Sequence, residues 1–137
     1  MRDHTFLLRE GRWEIEGSTI DVAGNPNAMI GFAVITHREN WIVEEQLNEA
    51  HSHYAVAPLS PGISATCFTG ANGIVGEVHG SFAFFDDLIL SMYRSDDGHY
   101  QVCEALRMLD DDHYDARGAM FLDGGHVSSW SLNLHRV

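Results

Sequence analysis

The chain has 137 residues, enough for one domain with a sizeable core, and its 45% hydrophobic and 20% charged content is typical of a folded globular protein. A net charge of −12 disfavours nucleic acid and anionic membranes as partners, because both are bound through lysine and arginine. No run of about 18 apolar residues suggests a membrane span, and Met1 to Gly11 lacks the apolar segment of a secretory signal, so a cytoplasmic location is expected.

The only helix signal lies at the N-terminus, where Asp3 is a suitable cap for a short helix or turn that ends at Gly11. The rest of the chain consists of runs rich in β-branched and aromatic residues, separated by turn pairs. The predicted strands are about Arg12–Val22, Ala28–His37, Trp41–Leu47, Ile63–Thr69, Ile74–Phe85, Leu88–Arg94, His99–Leu109, Tyr114–Leu122 and His126–Arg136, with a short one near Tyr54–Ala57.

The turn pairs predict consecutive hairpins. Asn72-Gly73, Asp97-Gly98 and Gly124-Gly125 suit tight turns, because both central residues need a positive φ. A meander of this length curls and closes, which removes its exposed edges. The sequence therefore predicts an all-β protein, with residues 1–137 forming one antiparallel up-and-down barrel of about 8–10 strands. The irregular stretch Asn48–Gly62 is either a lid over the barrel mouth or a plain surface loop.

Two-residue turns also fix which residues face each other. A turn at Asp97-Gly98 places Ser91 opposite Glu104, and a turn at Asp111-Asp112 places Leu106 opposite Arg117. Continued through the neighbouring hairpins, this register collects one mostly apolar face, which we assign to the interior. Its candidate ligand-binding residues are Tyr93, Tyr100, Glu104, Arg117 and Trp130.

Glu104 and Arg117 are the two ionisable groups of this predicted interior face. A buried carboxylate is costly unless it is paired, so the two side chains form either a structural ion pair or part of a binding site. In the second interpretation Arg117 orients a carboxylate or carbonyl of a ligand, and Glu104 is a candidate catalytic base. The aromatic side chains around them either line a pocket or fill a solid core.

No cofactor or metal site is predicted. His51 and His53 share one side of an extended stretch, but no third ligand has a recognisable spacing. Nucleotide-binding glycine motifs, a nucleophile elbow and a Cys-x-x-Cys pair are all missing. The register places Cys67 and Cys103 on opposite faces, which predicts two free thiols.

The tripeptide Gly11-Arg12-Trp13, at the opening of the first predicted strand, resembles the Gly-x-Trp that begins the barrel in the calycin superfamily. The last strand, which ends at Arg136, resembles that of small bacterial barrels of the lipocalin-like and nitrobindin-like kind. The resemblance implies that Gly11, Trp13 and Arg136 form an end-plug, with the Trp under the Arg. It also implies a haem-ligating histidine near the C-terminus in nitrobindin-like barrels. His135 is the nearest candidate, and the register points it outward.

Three functions follow from this fold. The first is binding of a small, mostly hydrophobic molecule in the barrel. The second is a cofactor-independent isomerase, cyclase or lyase acting on such a molecule, and the third is a haem-binding barrel. Whether the chain forms a homodimer is left open by the sequence.

Overall fold

The computed structural model describes residues 3–137 as a barrel of ten antiparallel strands. The strands are β1 (Gly11–Asp21), β2 (Pro26–His37), β3 (Trp41–Leu47), β4 (Ala50–Val56), β5 (Ala65–Asn72), β6 (Gly76–Phe85), β7 (Leu88–Ser95), β8 (Tyr100–Asp110), β9 (His113–Leu122) and β10 (Gly125–Arg136).

Each strand pairs with its sequence neighbours, and β1 pairs with both β2 and β10, so that the sheet closes on itself. Closure leaves no unpaired edge, which is the physical advantage of this architecture for a long meander. The predicted all-β up-and-down barrel is therefore confirmed. In the described part of the chain, no helix is long and apolar enough to cross a bilayer.

Of the predicted N-terminal helix or turn, the helix is wrong and the structure has a turn. The segment before β1 makes a single turn, closed by a hydrogen bond from Arg9 N to Thr5 O, and Leu7 has a φ of 71° that a helix does not accept. The segment is held by tertiary contacts: the Thr5 hydroxyl donates to Asp111 O at 2.7 Å, and the His4 ring lies 2.8 Å from the Tyr114 hydroxyl. It closes one end of the barrel.

The stretch Asn48–Gly62 is not a lid over the open end of the barrel. Asn48 and Glu49 form a tight turn, Ala50–Val56 forms strand β4, paired along its length with β3, and the part after Val56 is a loop. This loop connects β4 to β5 at the same end as the N-terminal plug. The polar and histidine-rich sequence of β4 obscured its alternation, since Ser52, Tyr54 and Val56 face inward and are buried.

The register agrees with prediction between β7 and β8, where Ser91 pairs with Glu104 and Tyr93 with Val102. It departs at the next hairpin, because Leu109 forms a bulge that shifts β9 by one residue. Glu104 therefore pairs with Gly118. A second bulge, between His126 and Ser128, shifts the register by one more residue, so that Trp130 and its alternate neighbours in β10 face inward as predicted.

The turn between β5 and β6 is longer than predicted, since Asn72 pairs with Gly76 across three residues. Phe68 consequently faces the interior and Cys67 the outside. Cys67 and Cys103 thus lie on the same outer face, not on opposite faces, and both are free thiols.

Candidate ligand cavity

An interior cavity of about 160 Å³ lies above the N-terminal plug. Its lining runs from Phe6 and Leu7, in the plug, to Ile74, in the β5–β6 turn at the opposite end. Most of the wall is apolar, with aliphatic side chains from β8, β9 and β10 and aromatic rings from β5, β6 and β7. A small group of polar side chains converges on this space.

Two tyrosines form one polar cluster of the wall. Asn72 Nδ2 donates to the Tyr54 hydroxyl at 2.9 Å and to the Tyr93 hydroxyl at 3.3 Å, and Ser52 also hydrogen-bonds Tyr54. Burial raises the pKa of Tyr54 to about 12, and burial raises the pKa of Tyr93 as well. Both phenols are therefore neutral hydrogen-bonding groups at physiological pH.

Two carboxyls form the second polar group of the wall. Glu104 accepts a hydrogen bond from Trp130 Nε1 at 2.7 Å, whereas Glu45 has no hydrogen-bond partner within residues 3–137. Burial, with a smaller contribution from the nearby Glu104 carboxyl, raises the pKa of Glu45 from 4.5 to about 8. Burial also raises the pKa of Glu104, and the Trp130 hydrogen bond holds back part of this rise.

Three of the predicted ligand-binding residues, Tyr93, Glu104 and Trp130, meet at the cavity. Tyr100 lies on the inward-facing side of β8, by its alternation with the buried Val102, but it stands at the strand's first position. The cavity lining does not extend to it. The structure thus places three of the five predicted residues on the part of the cavity wall formed by β7, β8 and β10.

The prediction that Arg117 faces the interior is wrong. Its side chain is 74% exposed on the outer wall, where its guanidinium lies 3.7 Å from Asp115. The bulge at Leu109 is the cause, because it turns Ala116 and Gly118 inward in place of Arg117. Arg117 and Glu104 consequently do not form a pair, and a ligand inside the barrel is not held by this arginine.

Glu45, Tyr54 and Phe68 are functional candidates that the sequence reasoning missed. For Glu45 the signal was present: Val43, Glu45 and Leu47 alternate along β3, so a strand with Val43 buried must turn Glu45 inward. For Tyr54 the signal was hidden because the sequence predicts only a short strand near Tyr54–Ala57, with no register, where the structure has the longer strand β4. For Phe68 the misplaced β5–β6 turn inverted the parity of the strand.

Trp13 is buried at the plugged end, with 1% of its surface exposed. Its ring makes edge contacts with Phe6 and Tyr114, at centroid distances of 5.5 and 5.4 Å. Arg136 is its partner across the β1–β10 ladder, and the Arg136 guanidinium donates to Glu10 O at 3.4 Å. A Cβ on Gly11 would lie 3.2 Å from Arg136 Nε, so the glycine leaves room for this side chain.

The residues around the cavity do not fit haem. Its lining includes no histidine in the described chain, and His135 lies outside the barrel, stacked at 4.6 Å on His113. A porphyrin is also much larger than a cavity of about 160 Å³. Across residues 3–137, no three His, Cys, Asp or Glu side chains converge as metal ligands.

Neither a protein-family model nor a curated protein sequence matches the chain. Among solved structures, the fold is similar to a protein of unknown function from the DUF3598 family of Nostoc punctiforme, with a TM-score of 0.72 and 14% identity. The likeness covers 99% of this chain but only 51% of that one, so the chain spans about half of its length. The fold is also similar to an S-type phycobiliprotein lyase from Guillardia theta, with a TM-score of 0.67, 9% identity, and coverage of 93% of this chain and 88% of the other. At these identities the likeness shows a shared barrel fold.

Proposed function

We propose that this barrel binds a small, mostly apolar molecule in its interior cavity. The observation that carries the proposal is a cavity of about 160 Å³ with a mainly apolar wall on which Glu45, Glu104 and a tyrosine cluster converge. Binding sites for small molecules combine these two features, an apolar wall for affinity and a few polar groups for orientation. A cavity of roughly 150 Å³ accepts a molecule the size of benzene.

We also propose that the fold is of the calycin type. Three features support this assignment: Gly11 and Trp13 open the first strand, Trp13 is buried at one barrel end, and Arg136 is its cross-strand partner. The similarity to the two solved barrels supports it further. Lipocalin-type barrels hold small molecules in the barrel interior.

Native mass spectrometry of the purified protein tests the binding function, since a resident small molecule adds mass that is lost on denaturation. Ser91→Leu fills the cavity beside Glu104, because Ser91 faces inward on β7. Ser81→Leu is the matched control, since Ser81 is exposed on the outer face of β6. Wild type and Ser81→Leu are expected to carry the added mass and Ser91→Leu to lack it. Equal added mass in all three proteins would contradict the proposal.

A second candidate function is a cofactor-independent isomerase, cyclase or lyase in the same cavity. The observation that favours it is a carboxyl, Glu45, with a pKa of about 8 beside a second carboxyl, because a general acid works best with a pKa near the ambient pH. The similar barrel from Guillardia theta is itself described as a lyase.

Deuterium incorporation separates the enzyme from the binding protein. The molecule released from the barrel is incubated with the protein in deuterated water and analysed for deuterium on carbon. An enzyme that moves protons through Glu45 incorporates deuterium, and Glu45→Gln abolishes the incorporation. A binding protein returns the molecule unlabelled.

A further inference from the structure

The hydrogen-bonding capacity left unused in the cavity consists mainly of carboxyl oxygens. The tyrosine cluster satisfies itself, because Asn72 donates to both hydroxyls, and Tyr54 also hydrogen-bonds Tyr93 and Ser52. Trp130 donates its indole N–H to Glu104 Oε2, so the other oxygen of that carboxyl, Oε1, has no hydrogen-bond partner in the described chain. Both carboxyl oxygens of Glu45 also lack a hydrogen-bond partner there. Hydroxyls such as that of Ser91 can either donate or accept a hydrogen bond, so they do not favour a donor over an acceptor on the ligand.

The side chains of the wall that gain a charge near neutral pH are all acidic. Lysine, arginine and histidine do not occur in the lining formed by the described residues, while two glutamates do. Two carboxyls in an apolar space destabilise each other's ionised form unless a cation compensates them. The whole chain carries a net charge of −12, which raises the local concentration of cations around the barrel.

From this arrangement we infer that the cavity selects a small apolar molecule that carries a protonated amine, held by the carboxyls of Glu45 and Glu104. The inference rests on the proposed binding function and specifies its ligand class. A protonated amine supplies the N–H donors that the free carboxyl oxygens lack and the positive charge that the wall lacks. This cationic ligand class differs from the carboxylate or carbonyl ligand that an inward-facing Arg117 would have favoured.

The size of the cavity limits the rest of the molecule. About 160 Å³ holds one six-membered ring with a short substituent, and the rings of Phe68, Phe82 and Tyr93 provide an apolar wall for it. Benzylamine has the required ring and amine. Benzyl alcohol, toluene and benzoate have nearly the same size with a neutral polar, an apolar and an anionic group.

Calorimetric titration of the intact protein with these four probes at pH 7 tests the inference. Benzylamine is expected to bind about tenfold to a hundredfold more tightly than benzyl alcohol, in line with charge-assisted hydrogen bonds, and benzoate is expected not to bind. Glu45→Gln and Glu104→Gln should each weaken benzylamine binding by about tenfold or more and leave toluene binding within about twofold. Both variants keep the shape of the side chain, and circular dichroism verifies that they are folded.

Two controls localise the effect. Glu77→Gln removes an exposed carboxyl from the outer face of β6 and should not change benzylamine affinity, whereas the cavity-filling Ser91→Leu should abolish it. Binding of toluene or benzoate as tight as that of benzylamine would overturn the ligand class and leave the binding function standing. If none of the four probes binds the wild type, the proposed binding function itself falls. If Glu77→Gln weakens benzylamine as much as Glu45→Gln, the amine binds the acidic surface and the inference is wrong.

Discussion

Glu45 places a carboxyl in an apolar interior, where its pKa is raised from 4.5 to about 8. The folded chain keeps this proton up to about pH 8, whereas the unfolded chain releases it near pH 4.5. The folded state therefore binds more protons over this interval, and the free energy of unfolding falls as the pH rises through it. The fall for this one group is at most about 5 kcal/mol.

Urea unfolding between pH 5 and pH 8 measures this dependence. Glu45→Gln should flatten the fall in the free energy of unfolding, while Glu77→Gln, which removes an exposed carboxyl, should keep the wild-type slope. A residual slope is expected in Glu45→Gln, because the pKa of Glu104, which faces the same cavity, is also raised by burial. Identical slopes in wild type and Glu45→Gln would show that this carboxyl is not buried in the folded chain.

Trp13 is the residue on which the plugged end depends, since its ring lies between Phe6 and Tyr114. Trp13→Ala is expected to reduce the free energy of unfolding by about 3–5 kcal/mol, the usual cost for a fully buried aromatic residue. Trp41→Ala is the comparison, and its cost should be smaller because Trp41 is only partly buried. Chemical denaturation measures both, and a Trp13→Ala midpoint equal to that of wild type would contradict the end-plug.

At the scale of the strands, Gly118 on the inward face of β9 lets the Trp130 ring pack directly against the backbone. A Cβ on Gly118 would lie 2.5 Å from the Trp130 ring and 2.7 Å from Cys103 O, which no packed atom pair allows. The glycine is therefore what lets the Trp130 indole lie across β9 and reach Glu104. Because β9 and β10 share this contact, a methyl group at this position is expected to disturb both the strand pairing and the Trp130 hydrogen bond.

Gly118→Ala is expected to reduce the free energy of unfolding by about 1–3 kcal/mol, the usual range for an overpacked core. Gly125→Ala is the control, because a Cβ there meets only an ordinary contact of 3.4 Å with Leu122 O, and it should change stability by less than about 0.5 kcal/mol. Urea denaturation of the two variants measures the difference. A Gly118→Ala protein as stable as Gly125→Ala would mean that the indole does not lie over this glycine.

The strands show which features of the fold could be predicted from the sequence alone. Asn-Gly, Asp-Gly and Gly-Gly pairs marked the approximate positions of the hairpins, and this predicted the meander. The residues with positive φ are Gly76 in the β5–β6 turn and Asp123 and Gly124 in the last turn, so two of the predicted turns were misplaced. One extra residue at Leu109 then inverted β9 and moved Arg117 outside. The alternation of Asp115 and Arg117 with the apolar Tyr114 and Ala116 indicated the observed parity, but the assumed two-residue turn was given more weight. The compensating bulge near Ser128 kept Trp130 in the predicted site. Bulges depend on the closure of the whole sheet, so their positions were not readable from local patterns.

For the molecule as a whole, ten strands explain why the interior is hollow. A barrel of about eight strands is just wide enough for its side chains to fill, and a wider one leaves space. The N-terminal segment closes one end with Phe6 and Leu7, and small inward residues such as Ser91 and Ala116 keep the middle open. The result is a barrel with one plugged end and a cavity above the plug.

The central claim is that this cavity admits a small molecule, and methyl chemical shifts of the intact protein titrated with toluene test it most directly. Leu106, Leu132 and Leu134 line the cavity, whereas Leu90 and Met92 are 44% and 51% exposed on the outer wall of the same barrel. We predict saturable shifts confined to the three cavity leucines, lost in Ser91→Leu and retained in Ser81→Leu. Shifts confined to Leu90 and Met92, or no saturable shift at all, would contradict the claim.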